Sequence, residues 1–292
     1  MNAITILRIL LLAFTAVFAV VYVKDLVAHK EELKGVKHWL PLAIIGIVVD
    51  FFDTWGIGCF ATTQAGFKFT KSSPDETMPG TLNVGHTIPV VLEATLFFSF
   101  VDVDPLTLYL MIAASVVGAL VGASIVCKWN LKMIRIALGC ALFGLAIVMA
   151  CKNAGIGPFG LAGTALGLRG VKLIIGIVVN FFLGGLMMVG FGLYIPCTAL
   201  VSLLGMNIGA AFPIMMGSCA FLMDASAFEF IREGKYDRKA ALAMSIFGCI
   251  GVTLAYLLIK YMFSLHTLTY IICVVMLYTA FTFIRDAIQN KA

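Results

Sequence analysis

The side chains best suited to chemistry in this 292-residue chain gather in two short stretches. Asp50 and Asp53 lie one helical turn apart, so they share a face and could share a proton or hold a ligand between them. Gly56 and Gly58 follow at once, where the chain could turn and let a ligand approach the backbone. A half-helix starting after that break would aim free N–H groups and a partial positive charge at the space before it, which suits an anion. Asp53 or Thr54 could instead cap that half-helix. Thr62, Thr63 and Gln64 come next and could line the same space. In the second stretch His86 stands beside Asn83 and Thr87, and Asn83 shares a helical face with His86 or Thr87. A single histidine in apolar surroundings is often a hydrogen-bonded structural residue. With Asn83 nearby it also fits a solute or proton pathway, so Asp50, Asp53 and His86 are the candidates for proton coupling. Glu93, Asp224 and Glu229 sit toward the ends of apolar stretches, where snorkelling or bonding between helices is the expected role.

Other chemistries find little support. No H-E-x-x-H, G-x-S-x-G or G-x-x-x-x-G-K-[ST] occurs, so neither an enzyme nor an ATP-driven pump is expected, and no cofactor. The eight cysteines form no C-x-x-C pair and nearly all lie in apolar stretches, which points to packing rather than a metal or redox site.

The elements that must position these residues are membrane helices. The chain is 62% hydrophobic and only 12% charged, with a mean hydropathy of +1.06; soluble domains run about 45–50% apolar and about 25% charged. No Asp, Glu, Lys or Arg occurs between Lys172 and Asp224, and several further uncharged runs match the roughly 17–25 residues a span needs. An all-α polytopic membrane protein is therefore expected, and soluble enzymes, disordered tails and disulfide-stapled secreted domains are excluded. The net charge of +5 sits in short connections and sets topology, so no nucleic-acid partner is expected. Residues 1–23 have the look of a signal peptide, but Lys24, Lys30, Lys34 and Lys37 follow the apolar core. Basic charge there favours a retained first helix with its N-terminus outside.

The chain also contains itself twice. Ile44–Phe52 recurs as Ile174–Phe182 with a single change, Asp50 to Asn180. Gly56-Ile57-Gly58-Cys59-Phe60 answers Gly190-Phe191-Gly192-Leu193-Tyr194, His86 aligns with Ser218, and Gly118 with Gly251. This divides the chain into an N-terminal helix with its basic connection (1–37), a first repeat (38–152), a linker (153–171) and a second repeat (172–292). Each repeat opens with a glycine-interrupted apolar stretch, followed by spans near 78–100, 106–127 and 132–151, or 207–231, 239–260 and 266–285. The interrupted stretches could cross fully or be re-entrant hairpins. Re-entrance gathers Lys68, Lys71, Lys128, Lys132 and Arg135 inside, though it leaves Arg169 and Lys172 outside, and it makes the repeats inverted. Inverted repeats with broken elements near the midplane are the usual architecture of secondary transporters. Gly190, Gly192 and Ser218 thereby join the candidate solute site with Thr54, Gly56, Gly58 and the polar residues above. Gly118/Gly122 and Gly205/Gly209 have the spacing of helix-packing contacts.

Four segments carry a family resemblance: Asp53–Ala61, Gly80–Pro89, Gly184–Pro196 and Met216–Ser218. On them the chain resembles the TauE/SafE sulfite-exporter family, also called the toluene-sulfonate uptake permeases, over essentially all of its length after the first helix. The family's glycine-rich G-x-G-G-G-F becomes G-I-G-C-F in the first copy and G-F-G-L-Y in the second. The resemblance implies a bacterial inner-membrane permease for small sulfur-containing anions such as sulfite or organosulfonates, coupled to a proton gradient. Its expected partners are the anionic solute and the lipid bilayer, and a homodimer is compatible with it. A cation or neutral-solute carrier using Asp50, Asp53 and His86 is the alternative.

Overall fold

The computed structural model describes residues 3–34, 39–98, 102–122, 131–154, 163–188, 190–262 and 265–289. Among them the chain is helical: α1 (Ala3–Ala28), α2 (Trp39–Asp53), α3 (Cys59–Thr70), α4 (Met78–Phe97), α5 (Pro105–Val117), α6 (Leu131–Asn153), α7 (Gly170–Met187), α8 (Tyr194–Leu203), α9 (Ala211–Glu233), α10 (Arg238–Met262) and α11 (Leu265–Ile288). Five helical segments are long and apolar enough to cross a membrane: Ile4–Ala28, Gly170–Met187, Ile208–Glu233, Arg238–Leu258 and Thr269–Ile288. They differ in depth. The segment containing α9 is 83% buried, whereas that of α1 is 17% buried and turns Ile9, Leu12, Val20 and Val23 outward. An apolar outer face of this kind is what a lipid-facing helix presents.

At the centre α4 packs on α9, and the Ser226 hydroxyl donates to Asn83 Oδ1 between them. Around this pair, α2 lies against α10 and α7 against α5, α4 touches α10 while α9 touches α5, and α6 pairs with α11. Close backbone approach makes two of these contacts possible. A Cβ on Gly118 would fall 1.8 Å from Phe181 O of α7, and one on Gly251 2.2 Å from Ile47 O of α2. The packing role expected of Gly118 is therefore met. Gly205 departs from it, because it closes the turn after α8 at φ +91° rather than lying on a helix face. The helix α1 packs on α9, through Phe18 on Phe228 and a Thr15 hydroxyl bond to Asp224 Oδ2. Its far end is tied by Arg238, whose guanidinium pairs with Asp25 and Glu32.

The two interrupted stretches are hairpins. A Cβ on Gly66 of α3 would meet Ile45 Cγ1 of α2 at 3.1 Å, and one on Gly176 of α7 would meet Leu204 Cδ1, beside the end of α8, at 3.6 Å. In continuous helices these pairs would stand about 30 and 40 Å apart. The chain therefore doubles back at each glycine pair, and the alternative of a single long helix is excluded.

Candidate functional site

The first tip spans Thr54–Gly58, where Gly56 and Gly58 adopt φ +88° and +89°, a region open at little cost only to glycine. Gly190 does the same in the second tip at φ +91°. Gly58 is the N-cap of α3 and Leu193 that of α8, and neither helix receives a side-chain cap. Thr54 does not cap. Its hydroxyl reaches back to Asp50 O at 2.7 Å and across to Glu93 Oε1 at 2.8 Å. Asp53 turns its buried carboxylate toward the backbone N–H and thiol of Cys59 at the start of α3, although neither oxygen reaches full hydrogen-bond geometry.

The tips meet. Gln64 Nε2 of α3 donates to Gly190 O at 3.2 Å. A Cβ on Gly58 would lie 3.9 Å from Tyr194 Cβ, and one on Gly192 4.0 Å from Phe60 Cβ. Glu93 of α4 touches both sides: its Oε1 faces Thr54 of the first tip, and its Oε2 accepts from the Tyr194 hydroxyl of the second at 2.7 Å. A hydroxyl carries one proton. If Thr54 gives its proton to Asp50 O, the contact with Oε1 is complete only when Glu93 is a neutral acid donating to Thr54.

Beside this bridge the His86 ring is held at both nitrogens, with Nδ1 2.8 Å from Asp50 Oδ1 and Nε2 2.9 Å from Thr63 Oγ1. Asp50, Asp53, Thr54, Thr63, His86 and Glu93 have no exposed surface. In the second half, Asn180 Nδ2 donates to Ser218 Oγ at 3.1 Å and to Met111 O. The Asp50–His86 contact thus has a neutral counterpart at the matching positions.

The expected site residues therefore separate. Asp50, Asp53, Thr54, Gly56, Gly58, Thr63, Gln64, His86, Gly190 and Gly192 come together at the tips, and Ser218 joins Asn180. Thr62 and Thr87 bond to carbonyls of their own helices, Gly58 O and Cys59 O for the first and Asn83 O for the second. Asn83 is spent on Pro79 O and Ser226. Glu93 does bond between elements, as expected, but its partners are the two tips. Cys59 and Tyr194, which open the two half-helices, were not singled out as site residues. Only their place directly after the glycines marks them.

Away from the tips, Arg169 donates two hydrogen bonds to the Asp104 carboxylate, and Asp104 also caps α5 through Thr107 N. The adjacent Arg169 guanidinium holds the Asp104 carboxyl well below its usual range.

Compared with known proteins, the chain matches no family model, no curated protein and no solved structure.

Proposed function

We propose that this chain is a multi-pass secondary transporter of the bacterial inner membrane that moves a small sulfur-containing anion, such as sulfite or an organosulfonate, by alternating access around the two hairpin tips. The observation that carries this reading is the meeting of tip with tip through Gln64 and Gly190 O, where two half-helices start without side-chain caps. Free N–H groups at such starts, removed from water, favour a small anion. The arms of the first hairpin are too short to cross: 15 residues of α2 and 12 of α3 reach about 22 and 18 Å, against a hydrocarbon core of about 30 Å. Irregular backbone at that depth belongs where protein or a cavity surrounds it.

The reciprocal packing favours an inverted repeat. Pairing α2 with α7, α3 with α8, α4 with α9, α5 with α10 and α6 with α11 converts each major contact into another that exists: α2–α10 into α7–α5, and α4–α10 into α9–α5. Rocking of one half on the other about the α4–α9 contact would open the tips to either side. The buried carboxyls beside the tips must lose charge for an anion to enter, which couples anion and proton.

A second reading, a cation carrier, draws on the bare oxygens of Asp53 and Asp50. Flux of sulfite, taurine and sulfoacetate into proteoliposomes separates the two. The anion reading expects saturable uptake driven by a proton gradient and lost in Gly58→Val. Absence of uptake for all three, with cation binding abolished by Asp53→Asn and unaffected by anions, would replace it with the second.

A further inference from the structure

Three metal-ligating side chains from three helices meet at the first tip, with Asp53 next to them. Asp50 and Asp53 end α2, Cys59 begins α3 and His86 comes from α4. A carboxylate oxygen of Asp50, the Cys59 sulfur and a ring nitrogen of His86 lie within 4.8 Å of one another, all buried. A tetrahedral ion with bonds of about 2.0–2.3 Å holds its ligands roughly 3.3–3.8 Å apart, so side-chain adjustments of about an ångström would close the set.

A second, independent observation asks for an occupant. Oδ2 of Asp50 is buried with no hydrogen-bond partner, and the buried oxygens of Asp53 have only the Cys59 N–H and thiol near them, short of full hydrogen-bond geometry. Asp53 faces Asp50, His86 and the Cys59 thiol. Among the described residues no Lys or Arg pairs with either carboxyl, and the one ion-pair contact is His86 with Asp50. Carboxylates removed from water without partners or counter-charge are costly, and a bound cation relieves both costs at once.

We propose that Asp50, Asp53, Cys59 and His86 form a binding site for a divalent transition-metal ion of the Zn2+ type. The donors decide the class. Imidazole, thiolate and carboxylate together suit a borderline-soft ion, whereas Mg2+ and Ca2+ take oxygen ligands. The ion takes the place between His86 Nδ1 and Asp50 Oδ1, the neutral ring keeps its one proton on Nε2, and the Cys59 thiol proton leaves to solvent. Thr63 then accepts from the other ring nitrogen, Nε2–H, and fixes the ring, the outer-shell support that metal-bound histidines commonly have. α10 lets the Asp50 carboxylate sit here only through a glycine, because a Cβ on Gly248 would fall 2.3 Å from Oδ2. The second half offers no such set, since Asn180 and Ser218 occupy the matching positions and bond to each other. An ion at this place would tie α2, α3 and α4 together at one end of the tip contact. The site stands or falls apart from the solute the tips pass.

The test is Co2+ titration of the full chain, purified in detergent and stripped with chelator. Expected are one Co2+ per chain, the visible bands of a tetrahedral ion and a near-ultraviolet thiolate-to-cobalt transition, all bleached by Zn2+. Cys59→Ser should remove the thiolate transition, Cys140→Ser should leave it, and Thr63→Val should weaken binding roughly 10–100-fold. Asp53→Asn, nearly isosteric, serves the same end if Cys59→Ser does not fold, and should weaken binding by at least about tenfold. No tetrahedral spectrum in the wild-type chain, or one untouched by Cys59→Ser or Asp53→Asn, overturns the proposal, whatever proteoliposome flux shows.

Discussion

Replacing Gly58 and Gly192 one at a time by alanine should have opposite outcomes, although the two residues occupy matching places in the two tips. Gly58 sits at φ 89° and ψ 125°, a conformation that costs an L-residue about 1–3 kcal/mol. Space contributes nothing, because the nearest atom to the new Cβ is 3.9 Å away. Gly192 has equal room, 4.0 Å to Phe60 Cβ, and is not among the glycines with positive φ. Alanine there removes freedom from the unfolded chain, worth about 0.4–1 kcal/mol in favour of the fold. At roughly 2–4 °C per kcal/mol for chains approaching this size, Gly58→Ala should lower the melting temperature in detergent by about 2–12 °C. Gly192→Ala should hold it or raise it slightly. Intrinsic tryptophan fluorescence during a thermal ramp reads both. Equal losses, or a larger loss at Gly192, would refute the assignment of conformational strain to Gly58 and not to Gly192.

Glu93 distinguishes a neutral bridge from a charged one. Glu93→Gln should change the melting temperature little, whereas Glu93→Ala strands the Tyr194 hydroxyl, Thr54 keeping Asp50 O, and should cost about 1–3 kcal/mol, read in the same thermal ramp. Gly118→Ala and Gly251→Ala force a Cβ to 1.8 and 2.2 Å from carbonyl oxygens, and each should destabilise by about 1–3 kcal/mol. Gly144→Ala, with nothing within 4 Å, should instead stabilise by about 0.5–1 kcal/mol. The Asp104 carboxyl is held below its ordinary value of 3.8 by Arg169, so its contribution is intact above that pH and fades as the pH falls through and below it. The melting difference between wild type and Asp104→Asn should therefore be present at pH 7 and shrink in strong acid. Because Arg169 is exposed, that difference should be small.

Most helices were legible because membrane spans announce themselves by length and lack of charge. The expected spans 78–100, 132–151 and 239–260 fall on α4 (Met78–Phe97), α6 (Leu131–Asn153) and α10 (Arg238–Met262). The span expected at 106–127 continues from α5 as a π turn to Gly122, and its remainder lies outside the described residues. The breaks were legible because the same glycine pair occurs twice. That they reverse the chain was not, since an apolar run of that length serves a crossing as well as a hairpin; the contact of Ile45 with Gly66 decides it. Within the site, periodicity could place Asp50 and Asp53 on one face but not say which helix that face meets, so the His86 contact had to come from packing. Asn83, Thr62 and Thr87 misled for a local reason. Their side chains find carbonyls three or four residues back, an outlet open to any Ser, Thr or Asn in a helix. Glu93 was visible as a buried charge, but its partner Tyr194 stands in the other half, beyond the reach of spacing arguments.

The difference between the halves carries a consequence for mechanism. Two identical tips would place like charges on both sides of one narrow contact, and repulsion in a low dielectric would push them apart. Here Asp50, Asp53, Cys59 and His86 gather on one side, while Asn180 and Ser218 are joined on the other by a neutral hydrogen bond. The uncharged half can form the same packing at every pH, whereas the charged half can close only when protons or a cation balance its carboxyls. Glu93 links the two, because the Tyr194 hydroxyl of the second tip bonds the carboxyl that faces Thr54 of the first. If the tips pass a solute as proposed, charge balance in one half would govern whether they stay together, and coupling to a proton or cation would need no second titratable site.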